Sequence, residues 1–230
     1  MNIKQNTNYF KISDKLSRAA VLVLGGGVAS MLLAFFGLGH YVCFILAGAL
    51  LPVGFVMYLI TTTQRATDDD IKVQIEQAVS GMEIDLTKNI KYQRRLNPKA
   101  EPRELAGFDY DEGLMFTKSR MGNVISSSYT KALLYQLKDG FYITWRRISL
   151  VSEDVVNETI EIPFDEVRSI KYISEEKTVN YGKNSYVIEI TKIEICYSEN
   201  NIISFPIGKD VEAEFYIEKL NKAILSAKGI

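Results

Sequence analysis

Three groups of residues have types and spacings that chemistry uses. Val21–Ser30 reads VLVLGGGVAS, aliphatic residues running into glycines as a dinucleotide-binding strand enters its phosphate turn. Trp145-Arg146-Arg147 sets two guanidinium groups side by side in an apolar segment, and such planar cations hold carboxylates and phosphates. Asp111-Glu112, Glu153-Asp154, Asp165-Glu166 and Glu175-Glu176 are paired carboxylates, the groups that general acid–base work draws on.

The glycine run fails as a cofactor turn. Gly25 and Gly27 fit the first two glycine positions, but Ser30 stands where the third Gly or Ala belongs. The acidic residue that would hold the ribose about 20 positions on is missing, because CFILAGALL occupies that stretch. No Asp, Glu, Lys or Arg occurs between Arg18 and Arg65, a span of 46 residues. A soluble βαβ unit has a solvated helix face, and this segment has none. The acidic pairs fall at expected turns, where adjacent carboxylates are solvated and nothing brings two pairs together. The only histidine is His40, inside the uncharged run, so a histidine-based triad in the remainder of the chain is excluded. No H-E-x-x-H, C-x-x-C or P-loop occurs. Two cysteines, Cys43 and Cys196, make neither a disulfide framework nor a zinc site and fit a reducing compartment. No enzyme, metal or cofactor is expected.

An uncharged run of that length is a membrane signal. As one helix it would be about 69 Å long, against a hydrocarbon core of about 30 Å. Gly37-Leu38-Gly39-His40 divides it, which gives a transmembrane helical hairpin over residues 19–61. Ala20, Gly27 and Ala34 recur every seven residues, as do Ala47, Gly54 and Thr61. Small residues on one face let two helices approach in lipid, so the glycines at 25–27 are expected to be packing residues. A cleaved signal peptide fits poorly, because a second span follows at once. Lys4, Lys11, Lys15 and Arg18 precede the hairpin, Arg65 and Lys72 follow it, and the turn carries no charge. Both termini are therefore expected in the cytoplasm, with segment 1–18 a cytoplasmic lead-in to an inner-membrane anchor.

The chain of 230 residues has a net charge of −1. Residues 1–100 carry 11 basic and 7 acidic side chains, and residues 101–230 carry 16 and 21. An acidic C-terminal region is poorly suited to a nucleic-acid polymer, whose binding rests on phosphate neutralisation. Residues 62–104 form the connector. Thr67 followed by three aspartates marks a helix start, and Ile71, Ile75, Ala78, Val79, Met82, Leu86 and Ile90 keep helical spacing. The spacing predicts one amphipathic helix ending near Leu96, before Asn97-Pro98. Such a helix is either a self-associating stalk or a strut against its own soluble domain. Its basic group, Lys88, Lys91, Arg94, Arg95 and Lys99, also offers contact with anionic lipid.

Residues 105–230 are expected to be mostly antiparallel β. GLMFT, NVISSSYT, ALLYQLKD, FYITWRRISLV, TIEIPF, RSIKYIS, SYVIEITKIEICYS and IISFPI are rich in β-branched and aromatic residues. Asp139-Gly140 is the expected tip of the best hairpin, and Tyr181–Asn184 and Glu199–Asn201 mark further turns. Asp210 is the expected cap of a last helix burying Val211, Phe215, Leu220, Ile224 and Ala227. In a strand, Arg146 and Arg147 point to opposite faces. Their candidate roles are a cross-sheet salt bridge or an anion site shared with Arg168 or Lys171.

KDGFYITWRRISLV, then IPFDEVRSIKYI, then DVEAEFYIEKLNKAI resemble the pleckstrin-homology-like domains of bacterial membrane proteins. The resemblance implies a small, partly open barrel plugged by a C-terminal helix, which binds lipids, peptides or proteins and catalyses nothing. The first-hairpin basic cluster of inositide-binding members is missing here. Lys118-Ser119-Arg120 and Lys138 are all that the early loops supply. The fold expected is thus a membrane-anchored α+β chain. Its leading functional reading is an adaptor that recruits a protein or peptide to the bilayer, as a homo-oligomer. The layout also looks similar to two-span antiphage effectors whose β-barrels sense cyclic nucleotides. A membrane-resident immunity or accessory protein is the third reading, and a small-molecule ligand stays open.

Overall fold

The computed structural model describes residues 1–11, 14–37, 40–63, 65–82, 90–93, 95–96, 102–181, 184–199, 201–208 and 212–229. The chain divides into two compact units, residues 2–71 and 72–230.

The first unit is helical. Helix α1 (Ile3–Lys11) precedes α2 (Asp14–Phe35) and α3 (His40–Thr63), and α4 (Asp68–Val79) begins at its end. Stretches Arg18–Phe35 and Tyr41–Thr61 are long and apolar enough to cross a membrane. Their outward surface is apolar, with Leu22, Phe35, Phe36 and Ile45 exposed. Gly37 turns the chain with φ +80, and Leu38 and Gly39 lie outside the described residues. Helix α1 has no counterpart in the reading of 1–18 as a plain lead-in. It buries Asn6, Tyr9 and Phe10 on one side. The Tyr9 hydroxyl donates to Asp68 Oδ1 at 2.6 Å, and the Ala66 amide to the Gln5 carbonyl. The segments flanking the two long helices thus meet each other.

Helix α4 starts as its sequence requires. The Thr67 hydroxyl accepts from the Asp70 amide, while Asp70 Oδ2 accepts from the Thr67 amide and hydroxyl. This reciprocal capping box satisfies orphan donors of the first turn, and those bonds lower the Asp70 pKa. The helix does not run to Leu96. It ends at Val79, where Ser80 donates back to the Gln77 carbonyl and Gly81 takes φ +73. A left-handed glycine is a common helix stop, and it outweighs the apolar spacing that continues beyond it. Leu86 lies outside the described residues. Short α5 (Ile90–Gln93) follows. Ile71, Ile75 and Val79 are buried within the single chain, and Val73 on the same helix is exposed.

The rest is β, closed by one helix. Strands β1 (Arg103–Phe108), β4 (Ser128–Gln136), β5 (Gly140–Ser149) and β6 (Val155–Pro163) form an antiparallel sheet in the order β1-β4-β5-β6. The hairpin β2 (Phe116–Lys118) and β3 (Val124–Ser126) stands between β1 and β4 in the chain, and β7 (Val167–Tyr181), β8 (Asn184–Tyr197) and β9 (Asn201–Pro206) form a second sheet. Helix α6 (Ala213–Ala227) follows. One core joins both sheets and α6. It contains Leu105, Leu134, Phe141 and Ile143 from the first sheet, Ile170, Ile193 and Phe205 from the second, and Ile217, Leu220 and Ile224 from α6.

Several details differ from the sequence-based expectation. Strand β1 has no sequence signal of its own: RELAGF has no β-branched residue, yet Leu105 is fully buried. NVISSSYT is two strands, because serine hydroxyls take over backbone groups that a ladder would use. Ser127 Oγ accepts from the Met115 amide, and Ser126 Oγ from the Ser128 amide. At the β4–β5 turn, Leu137 donates to the Gly140 carbonyl, so Lys138 and Asp139 form the tip. Gly140 is needed for a different reason: a Cβ there would stand 2.5 Å from the Ile162 carbonyl oxygen. On α6 the buried face is Ala213, Ile217, Leu220 and Ile224. Phe215 is 71% exposed, because two residues from Ala213 is about 200° around a helix. Ala227 is exposed too, and Asp210 and Val211 lie outside the described residues.

Candidate functional site

The four candidate cations do not converge. Arg146 and Arg147 sit on opposite faces of β5, as strand geometry demands. Trp145 on the inner face contacts Phe205, with ring centroids 5.5 Å apart, so Arg146 is outward. Its Nη1 donates to the Ala78 carbonyl at the end of α4, and its Nε to Asn157 Oδ1, both at 2.6 Å. Arg146 is a structural tie. Arg168 occupies the irregularity in the β7–β8 register between Val167 and Ser169. Arg168 and Lys171 are both exposed, and neither lines the pocket that holds Arg147.

That pocket holds a different set. It has a volume of about 120 Å³ and takes Asp109 and Asp111 from the loop after β1, Arg147 from β5, and Glu175, Lys177 and Lys192 from the β7–β8 hairpin. Asp109 is 8% exposed. Its Oδ2 accepts from Ser128 and Thr130 and lies 3.6 Å from Arg147 Nε. Lys192 pairs with Glu175 at 3.1 Å. Two of its three lining cations, Arg147 and Lys192, are thereby paired with carboxylates. Sequence reasoning missed Lys177 and Lys192, since the long hairpin brings residues thirty or more positions away beside Arg147. Tyr110, also in the lining, donates to the Val124 carbonyl, and burial raises its pKa.

The outer face of the four-stranded sheet is covered. Leu133, Tyr135 and Thr144 point away from the core side and are buried. Tyr92 of α5 packs on Tyr142 with centroids 5.0 Å apart. Glu161 accepts from Lys91, Tyr92 and Arg95, and Arg95 also grips both oxygens of Asp139. Burial alone would raise the Glu161 pKa, but the bonds from Arg95 and Lys91 outweigh it and lower it below 4.5. Asp139 and then Glu161 raise the Arg95 pKa. Two of the five basic residues expected to meet lipid are thus held by carboxylates; Lys88, Arg94 and Lys99 lie outside the described residues.

A second, larger concavity of about 520 Å³ opens beside β6. It is lined by Trp145, Glu158, Ile160, Tyr197, Ile202 and Ile203, with Thr159. Among the described residues its walls are mainly aromatic and aliphatic, and Glu158 is the one charge.

In the helical unit, Ala20, Gly27, Ala34, Ala47 and Gly54 are all buried, as is Thr61. A Cβ on Gly27 would stand 2.9 Å from Leu51 Cγ, and one on Gly54 would stand 2.8 Å from the Leu24 amide nitrogen. Backbone approach at these two positions requires glycine. Gly25 meets nothing within 4 Å and Gly26 makes only an ordinary contact, so of the glycine run Gly27 alone is a close-packing residue. Among the described residues no group of three or more His, Cys, Asp or Glu is placed to hold a metal ion. No family model, curated protein or solved structure matches this chain.

Proposed function

We propose that this chain is a membrane-anchored, non-catalytic binding module. In this reading α2 and α3 span a cytoplasmic membrane, both chain ends face the cytoplasm, and the β domain holds a protein or peptide partner at the bilayer. The observation that carries it is the concavity beside β6. Aromatic and aliphatic walls with a single carboxylate are the composition of a recognition surface. The order of four strands, three strands and a closing helix supports a pleckstrin-homology-like domain. The basic flanks, and the Tyr9–Asp68 bond that joins them, support a hairpin with both ends on one side.

A cyclic-nucleotide sensor has less support. The polar pocket, at about 120 Å³, falls below the roughly 300–1,000 Å³ of small-molecule sites. Two of its three cations, Arg147 and Lys192, already face Asp109 and Glu175, and Ile217, Leu220 and Ile224 fill the core under α6.

Two experiments on the full chain test the reading. In a Cys43→Ser, Cys196→Ser background, Phe36→Cys should react with an impermeant thiol reagent from outside intact cells, and Gly229→Cys should not. Labelling of Gly229→Cys would end the topology. Photo-crosslinking residues at Met121, Ile202 and Phe215, all exposed, should capture one discrete protein in native membranes from at least one position. Capture from none would end the adaptor reading.

A further inference from the structure

Strand β6 is one of the two edge strands of its sheet. Its nine residues pair with β5 in unbroken register, from Ile148↔Val155 to Gly140↔Pro163. Val155–Thr159 are exposed. Among the described residues, no backbone hydrogen bond from another segment reaches Val155–Ile162 on the free side. Free edges are ordinarily blunted by charged side chains, lysine above all, by proline within the strand or by a bulge, and the inner face of β6 carries one charge of this kind, Glu158. VVNETIEIP has no lysine and no bulge, and its only proline is the last residue. Among the described residues the edge is long, regular and unpaired.

The concavity lies along this edge. Glu158, Thr159 and Ile160 are consecutive β6 residues in its wall, opposite Tyr197, Ile202 and Ile203. Val156, Glu158 and Ile160 share the face of β6 toward which Trp145 points, given the Trp145↔Glu158 pairing. Backbone groups at the edge and alternating side-chain positions beside it are the two requirements of recognition by strand addition.

We infer that β6 accepts an extended peptide segment as a fifth strand, with alternate apolar side chains in the concavity and a lysine or arginine opposite Glu158. The inference rests on the binding-module reading and names its partner's chemistry. Charge selects the occupant. Glu158 has no ion-pair partner among the described residues, whereas Glu161, on the opposite face, is already held by Lys91 and Arg95; β6 carries no cation. A second copy of β6 would bring a further Glu158 and no cation, whereas a basic peptide complements Glu158.

The test uses the full chain in nanodiscs and a fluorescent peptide, Thr-Ile-Thr-Lys-Thr-Ile-Thr, which sets lysine between two isoleucines on one face. Saturable binding is expected. Replacing the lysine by glutamate should weaken it about fivefold or more, and Glu158→Lys should reverse that preference. Because alternate residues of an added strand bond to the edge, N-methylation of one alternating set should abolish binding and of the other should spare it. Equal tolerance of both sets, or no saturable binding to folded chain, would overturn strand addition. So would a disulfide-linked dimer of Thr159→Cys in the background lacking Cys43 and Cys196, since it would assign the edge to a second copy. If crosslinks form at Phe215 or Met121 while the peptide fails, the adaptor reading stands and the β6 inference falls.

Discussion

Arg146 Nη1 lies 2.6 Å from the carbonyl oxygen of Ala78, so a β5 side chain closes the C-terminal end of α4. The last carbonyls of a helix lack intrahelical partners, and a cation there also meets the negative end of the dipole. Arg146→Met keeps most of the apolar stem and removes the bond. It should cost about 1–2 kcal/mol locally and speed amide exchange in Lys72–Val79, with little change in Val187–Ile195. Unchanged exchange in α4 would show that other contacts hold the helix end.

Glu161 gathers Lys91, Tyr92 and Arg95 onto the sheet, and its pKa is lowered from 4.5. A carboxylate with a depressed folded pKa contributes stability that is present above its unfolded value and lost as pH falls through its folded value. Glu161→Gln should therefore lower the Tm at neutral pH by an amount matching about 1 kcal/mol, given the partial exposure of these pairs. The gap between wild type and variant should close as pH falls through the lowered folded value of Glu161. A gap of equal size in acid and at neutrality would mean that the carboxylate's charge is not what holds α5.

What was legible in the sequence was whatever periodicity alone determines. The uncharged run gave two helices, the alternating runs gave most strands, and Thr67 with its aspartates gave the start of α4. The misreadings share a physical cause, competition between local signals or contacts that only the tertiary fold creates. Gly81 stopped a helix whose apolar spacing continued. Three serines cut a strand whose propensity continued. Arg147 was a reasonable site residue, but its neighbours Lys177 and Lys192 come from a hairpin whose length no short motif encodes. The open edge of β6 was illegible for the same reason, because strand order is not a local property.

Gly140 illustrates that difference experimentally. An added Cβ would meet the Ile162 carbonyl oxygen at 2.5 Å and Pro163 Cα at 3.0 Å, and both are backbone atoms that move only with the strand. Gly140→Ala should destabilise the domain by about 1–3 kcal/mol. Gly208→Ala, where a Cβ meets nothing within 4 Å, should stay within about 0.5 kcal/mol. Chemical denaturation of both variants decides the matter. Equal midpoints would show that β5 and β6 can part at no cost.

Helix α6 gives a second contrast. Leu220 is 1% exposed and Phe215 71%. Leu220→Ala should cost about 2–5 kcal/mol through lost burial and a residual cavity. Phe215→Ala, although it removes a larger side chain, should change stability by about 0.5 kcal/mol or less. Should Phe215→Ala prove the more damaging, the helix would have to present the face first expected from its sequence.

The two long helices provide the sharpest comparison, because two glycines only two residues apart differ in what surrounds them. At Gly27 a side chain would run into Leu51, at 2.9 Å from Cγ and 3.1 Å from the backbone nitrogen; at Gly25 it would enter open space. Where lipid surrounds the pair, no hydrophobic drive compensates for lost contact, and close packing carries the association. Gly27→Leu should separate α2 from α3, whereas Gly25→Leu should leave them paired and add apolar surface facing outward. Crosslinking between Ala20→Cys and Thr61→Cys, both positions buried, in a background lacking Cys43 and Cys196 reads the pairing, and a product is expected with both glycines intact. Loss of that product in Gly27→Leu with retention in Gly25→Leu is the expected result. Loss in both would mean that the run needs glycine for pliability along its length, and retention in both would mean that the helices are held by their flanking segments, Tyr9 and Asp68 among them.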